Sequence, residues 1–173
     1  MGIKAFFLEI DRNGERYLTL PLYTLVVITI FMEVFRRFFL SYSSIWSEEI
    51  ARYAFIYITW IGAAAAIKER AHIRIDVILP LLPNKGKAIV FIFGDIITLI
   101  LACIALYWSM EPVLNSINFG SVTHGLRISH AWFLAAVPLG FTMIIWRLLQ
   151  SMKRDLSDLK AGRSVFEGKK LFD

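Results

Sequence analysis

The chain has 173 residues, of which 57% are hydrophobic, with a mean hydropathy of +0.60 and a formal net charge of +5. A water-soluble surface does not tolerate so apolar a composition, and a bilayer is the matching solvent. The charges lie between long apolar stretches, and no basic patch interleaved with aromatics accompanies them, so a nucleic-acid partner is not expected.

In chain order, Glu9, Asp11 and Glu15 precede the first apolar run and no small-residue cleavage site follows it, so no secretory leader is expected. Phe6, Phe7, Leu8 and Ile10 are mixed with charges. That pattern is equally compatible with a segment lying along the headgroups before Pro21 helps start the first span, and with none. Crossing a hydrocarbon core of about 30 Å takes about 20 helical residues. Four stretches reach that length: 18–38, 46–67, 88–108 and 131–149. They are continuous, without the alternation of barrel strands. The expected fold is therefore all-α, an integral membrane protein with four transmembrane helices plus short interfacial segments. Residues 1–150 form the membrane domain and 151–173 a short cytoplasmic tail. Lys and Arg concentrate near both termini and between Lys68 and Lys87, whereas the other two loops hold only Arg36, Arg37, Arg52 and Arg127. The positive-inside tendency places both termini in the cytoplasm.

The second span is the most constrained. A start after Arg52 would leave only about 22 Å of helix, so Glu48, Glu49 and Arg52 must join it. Ser47 suits its N-cap and two acids complement the dipole. Alternatively, Glu48, Glu49 and Arg52, at i, i+3 and i+4 spacing, form a charged cluster facing a neighbouring membrane protein. Gly62 to Ala66 strip side-chain bulk from the far end, for close packing against another helix inside or outside the chain. Glu33 and Asp95 are intramembrane acids. Glu33 is expected to pair with Arg36 and Arg37, while Asp95 has no partner in sequence and reads as an interhelical hydrogen bond or a proton-coupled site. Trp46, Trp108, Trp132 and Trp146 fall at span ends and read as interfacial anchors. Cys103, the single cysteine, reads as a small core residue, and His72, His124 and His130 lie in loops or at boundaries, which gives no support to haem ligation between spans. No nucleophile, base and oxyanion group converge on a catalytic pattern.

The stretch Trp46-Ser-Glu-Glu-Ile-Ala-Arg-Tyr, the run to Gly62-Ala-Ala-Ala-Ala, the segment His72-Ile-Arg-Ile-Asp-Val ending at Leu82-Pro83, and Trp132-Phe-Leu-Ala-Ala-Val-Pro-Leu-Gly together resemble one family. This is the small membrane subunit, the DctQ-like component, of tripartite ATP-independent periplasmic (TRAP) transporters. The resemblance runs from about Leu20 to Leu149 and departs from the family at Ile128-Ser129-His130, where many relatives carry a proline near Ser129.

The resemblance implies a non-catalytic scaffold for a large multispanning permease subunit in the bacterial inner membrane. The complex would take up an organic acid, of the carboxylate or sialic acid class, from a periplasmic substrate-binding protein. No cofactor is expected in this chain, and sodium is expected on the large subunit. Since some relatives are fused to that subunit, the short tail implies a separately encoded partner. Candidates for the large-subunit interface are Trp46, Glu48, Glu49, Arg52, Gly62 and Ala66, with His72, Arg74 and Asp76 as a cytoplasmic brace or as internal loop packing. Asn118, His124 and Arg127 are candidate contacts for the binding protein or simply a hydrated loop. Lipids are the remaining partners. The rival reading is a small proton-coupled multidrug-type efflux transporter acting as a homo-oligomer, using Glu33 or Asp95.

Overall fold

The computed structural model describes residues 3–70, 83–164 and 166. Four helices make up the fold: α1 (Ile3–Phe39), α2 (Ile45–Lys68), α3 (Asn84–Asn118) and α4 (Ala131–Ala161). Each is long and apolar enough to cross a membrane. The described residues contain no strand, only an isolated antiparallel bridge between Val122 and Ser129.

Three helices outrun the expected spans. α1 is one 37-residue helix, about 55 Å long, that begins well before the first span and contains Pro21. The segment before Pro21 is therefore helical and continuous with the first span, whose apolar stretch begins at Asn13. Proline removes one ladder bond, and intramembrane helices accommodate this where other groups satisfy the freed backbone. Likewise α3 passes through Pro112 to Asn118. α4 runs past the expected boundary at residue 150 to Ala161, because Ser151 and Asp155, polar in sequence, are buried against neighbouring elements. α2 starts earlier than Ser47. Ser44 stands at its N-cap in extended conformation (φ −118, ψ 121), with no side-chain cap bond, and Ser47 is buried within the first turn, 2.5 Å from the Ser44 hydroxyl.

The helices pack in the spatial order α1, α2, α4, α3. The central seam joins α2 and α4 through small residues. At Gly140 a Cβ would fall 2.6 Å from the Trp60 ring, so only glycine permits the approach. Trp60 also meets Phe141 at a ring distance of 4.8 Å. Ala64 and Ile67 of α2, Ala102 of α3, and Ile144 and Leu148 of α4 close the core. That core is thin. Most large apolar side chains of α1 and α3, among them Phe31, Phe38, Phe93 and Tyr107, stay exposed, as expected where lipid or another membrane protein covers the helices.

Candidate functional site

With so little buried apolar area, the ends of the bundle carry its specific contacts. At the end near the chain termini, Arg147 of α4 reaches α1. Its Nε donates to a Glu15 carboxylate oxygen at 2.5 Å, one Nη to Asp11 Oδ1 at 2.6 Å, and the other to the Asp11 carbonyl at 2.9 Å. Lys68, the last residue of α2, donates to the Asp11 carbonyl at 2.7 Å and to Glu15 at 3.2 Å. Gln150 donates to Asp11 at 3.0 Å. The Gln150 amide, aided by Arg147 and Lys68, holds the Asp11 carboxyl below its usual value against an opposing desolvation. Three helices thus share one polar knot.

A second knot sits further along α4. Arg70, in left-handed conformation (φ 53) just after α2, turns its guanidinium into the bundle, where it pairs with Asp155 and donates to Ser151 at 3.3 Å. The two side chains are 1% and 0% exposed. The Arg70 guanidinium lies 4.6 Å from the Phe91 ring of α3, so this knot joins α2, α3 and α4. Asp95 is within electrostatic range of Arg154 and Asp155, and its Oδ2 is buried without a hydrogen-bond partner.

The opposite end uses carboxylates differently. Glu33 of α1 accepts from the Ser44 backbone N–H at 3.0 Å and the Ser44 hydroxyl at 2.8 Å. It makes no ion pair with Arg36 or Arg37 among the described residues. The chain reversal brings Ser44 donors to the carboxylate, while Arg36 donates to the Ser44 hydroxyl at 3.2 Å and lies 5.2 Å from the Trp46 ring. Glu49 accepts the N–H groups of Gly125 and Leu126, each at 2.8 Å. It thereby holds the tip of a hairpin-like loop closed by Thr123 N to Ile128 O and His130 N to Ser121 O, both 2.9 Å. Gly125 is required there, since a Cβ would lie 2.9 Å from the Trp46 nitrogen.

The expected charged cluster is therefore divided. Glu49 is committed inward, whereas Glu48 and Arg52 are exposed, as is Trp46. The small-residue patch is divided as well: Ala64 is fully buried in the core, Ala66 is half-buried, and Gly62 borders open space. Asn118, His124 and Arg127 are exposed at the Glu49 end. His72, Arg74 and Asp76 lie outside the described residues. Among those described, no group of three or more His, Cys, Asp or Glu side chains could hold a metal ion. The knots around Arg147 and Arg70 have no local signature in the sequence. The available signal was Arg147 itself, a charge ahead of Leu148 and Leu149 in an apolar helix, which needs an intramembrane partner.

The fold and its buried ion pairs define a multi-pass helical membrane protein. Residues 26–158 match the family model of the tripartite ATP-independent periplasmic transporters, DctQ component, and the chain belongs to that family. It is a transporter subunit and not an enzyme. It is 27% identical over 144 residues to the sialic acid TRAP transporter small permease protein of Vibrio cholerae, a match that covers 83% of this chain and 82% of that one. It is 28% identical over 139 residues to the ectoine TRAP transporter small permease protein of Halomonas elongata, covering 79% and 72%. The isethionate TRAP transporter permease protein of Oleidesulfovibrio alaskensis is 27% identical over 149 residues, 83% of this chain but only 24% of that protein.

Proposed function

We propose that the chain is the small inner-membrane subunit of a TRAP transporter, with both termini in the cytoplasm, and that it serves as a static frame for a large multispanning permease subunit. The assembled complex would take up an organic acid with sodium from a periplasmic binding protein, the sodium residing on the large subunit. The observation that carries this reading is the pair of outer helices, α1 and α3. Each packs substantially on a single neighbour and leaves its remaining apolar surface uncovered, while polar knots tie the helices together at the Arg147 end of the bundle. The match to a quarter of a larger permease supports a bigger partner beside it. Relatives named for sialic acid, isethionate and ectoine share this subunit type, which supports placing substrate choice outside this chain. Asp95 beside Arg154 and Asp155 serves packing in this reading, and family membership does not favour the efflux alternative.

The test is co-expression with a multispanning permease and a secreted binding protein of a TRAP system. Co-purification with the permease, and uptake in proteoliposomes that needs all three proteins and a sodium gradient, is the expected result. Transport by this chain alone, abolished by Asp95→Asn, would overturn it.

A further inference from the structure

Between α1, α2 and α4, at the end that holds Arg147, a cavity of about 500 Å³ is lined by Lys68, Arg147, Lys153 and Arg154 against a single carboxylate, Asp11. Lys68 and Arg147 are engaged on their inner sides by Glu15. Lys153, on the rim, is exposed. Among the described residues, Arg154 has a buried Nε without a hydrogen-bond partner, and Asp155, 3.9 Å away, is already paired with Arg70. The lining therefore carries, among the described residues, more cations than carboxylates, with Lys153 in no ion pair and Arg154 sharing Asp155 with Arg70. Ser157 adds a hydroxyl to its wall.

The position of the cavity specifies the ligand further. Exposed Tyr17, Leu18 and Leu20 follow the lining residue Asp11 along α1, and exposed Trp146 and Leu149 neighbour the lining residues Arg147 and Gln150 in the sequence of α4. Because α1 and α4 both pack on α2 and barely on each other, the two helices flank a cleft above the cations. A ligand that satisfies both parts has an anionic phosphate and apolar tails. Guanidinium and ammonium donors suit phosphate oxygens, and basic pockets at the ends of transmembrane helices suit lipid headgroups.

We propose that this cavity binds the headgroup phosphate of an anionic phospholipid, with the acyl chains in the cleft between α1 and α4. The proposal rests on the membrane-spanning fold and not on the identity of the partner subunit or substrate.

Native mass spectrometry of the full-length chain in detergent tests it, with phosphatidylglycerol, phosphatidylcholine of matched acyl chains, and inorganic phosphate as probes. Phosphatidylglycerol is expected to be retained in preference to phosphatidylcholine. Lys153→Gln should reduce that preference about fivefold, the share of one cation near an anionic headgroup, and Lys153→Gln with Arg154→Gln should remove most of it. Lys160→Gln, an exposed cation outside the cavity, should leave it intact. Equal retention of the two lipids, or an undiminished preference in Lys153→Gln, would overturn the proposal. If the double variant does not fold, the single variant decides the question. Displacement of phosphatidylglycerol by millimolar inorganic phosphate would assign the cavity to a free anion and overturn the lipid assignment.

Discussion

The two ends of the bundle solve the same problem, a carboxylate near the membrane boundary, with different partners. At the Glu49 end, Glu33 and Glu49 accept from backbone N–H groups and a serine hydroxyl, so each acid positions a loop. At the Arg147 end, Asp11, Glu15 and Asp155 pair with Lys68, Arg70 and Arg147, so each acid ties helices together. Loop contacts open locally, whereas interhelical ion pairs couple the relative placement of whole spans. The proposed role as a frame for a moving permease calls for the second kind.

The largest effect is expected at the Arg70 knot. Asp155→Ala leaves a buried guanidinium without its counter-charge, a change that costs about 3–5 kcal/mol, whereas replacing both members by apolar residues is far milder. Asp155→Leu combined with Arg70→Met should therefore melt well above Asp155→Ala in detergent, read as loss of the monodisperse peak on heating. Equal melting of the two would show the pair to be unimportant. Arg147→Met should cost about 2–3 kcal/mol by leaving Glu15 with Lys68 as its one remaining cation among the described residues, and added Glu15→Gln should recover part of it. Neither recovery is expected at the Glu49 end, where Glu49 accepts from backbone N–H groups and no counter-ion is stranded.

What the sequence revealed follows the same division. The four spans were legible because lipid demands about 20 apolar residues per crossing, a demand visible without any partner. The ends of α1 and α4 were not, since polar sequence beyond the boundary remains helical only through contacts such as Arg147 with Asp11 and Glu15, which lie 136 and 132 residues apart. Glu33 illustrates the limit of local reasoning. Arg36 and Arg37 stand at favourable helical spacing, yet Ser44, brought back by the chain reversal, supplies two donors at once. Glu49 was legible as a residue with a special role, but its partners, the N–H groups of Gly125 and Leu126, carry no side-chain signal.

Between the ends, the α2–α4 seam responds to volume and not to charge. Gly140→Ala places a methyl group against Trp60 and should cost about 1–3 kcal/mol, as overpacking does. A second change, Trp60→Ala, should reduce that increment if the contact is its source, measured as a double-mutant cycle on melting. Glu49→Gln keeps one acceptor oxygen and loses the other, and should have a small effect on melting. Its signature is local: faster amide exchange at Gly125 and Leu126 with protection of α4 unchanged. Global loss of protection would mean that the loop at Gly125 is coupled to the bundle like the ion-paired end.

Asp11 gives the smallest and most selective test. Its side chain is half-exposed, so solvent screening limits its contribution to under about 1 kcal/mol. Its carboxyl is held below the usual range first by the Gln150 amide, then by Arg147 and Lys68. A carboxyl whose folded value is depressed contributes stability that is complete above its unfolded value of about 4 and is lost as pH falls through the folded value. The melting difference between the protein and Asp11→Asn should therefore be constant at neutral pH and shrink only below about pH 4. A difference that shrank between pH 7 and 5 would place its origin in another group. A difference that persisted in strong acid would show that Asp11 acts through neutral hydrogen bonding of its side chain, such as that from Gln150, and not through its charge.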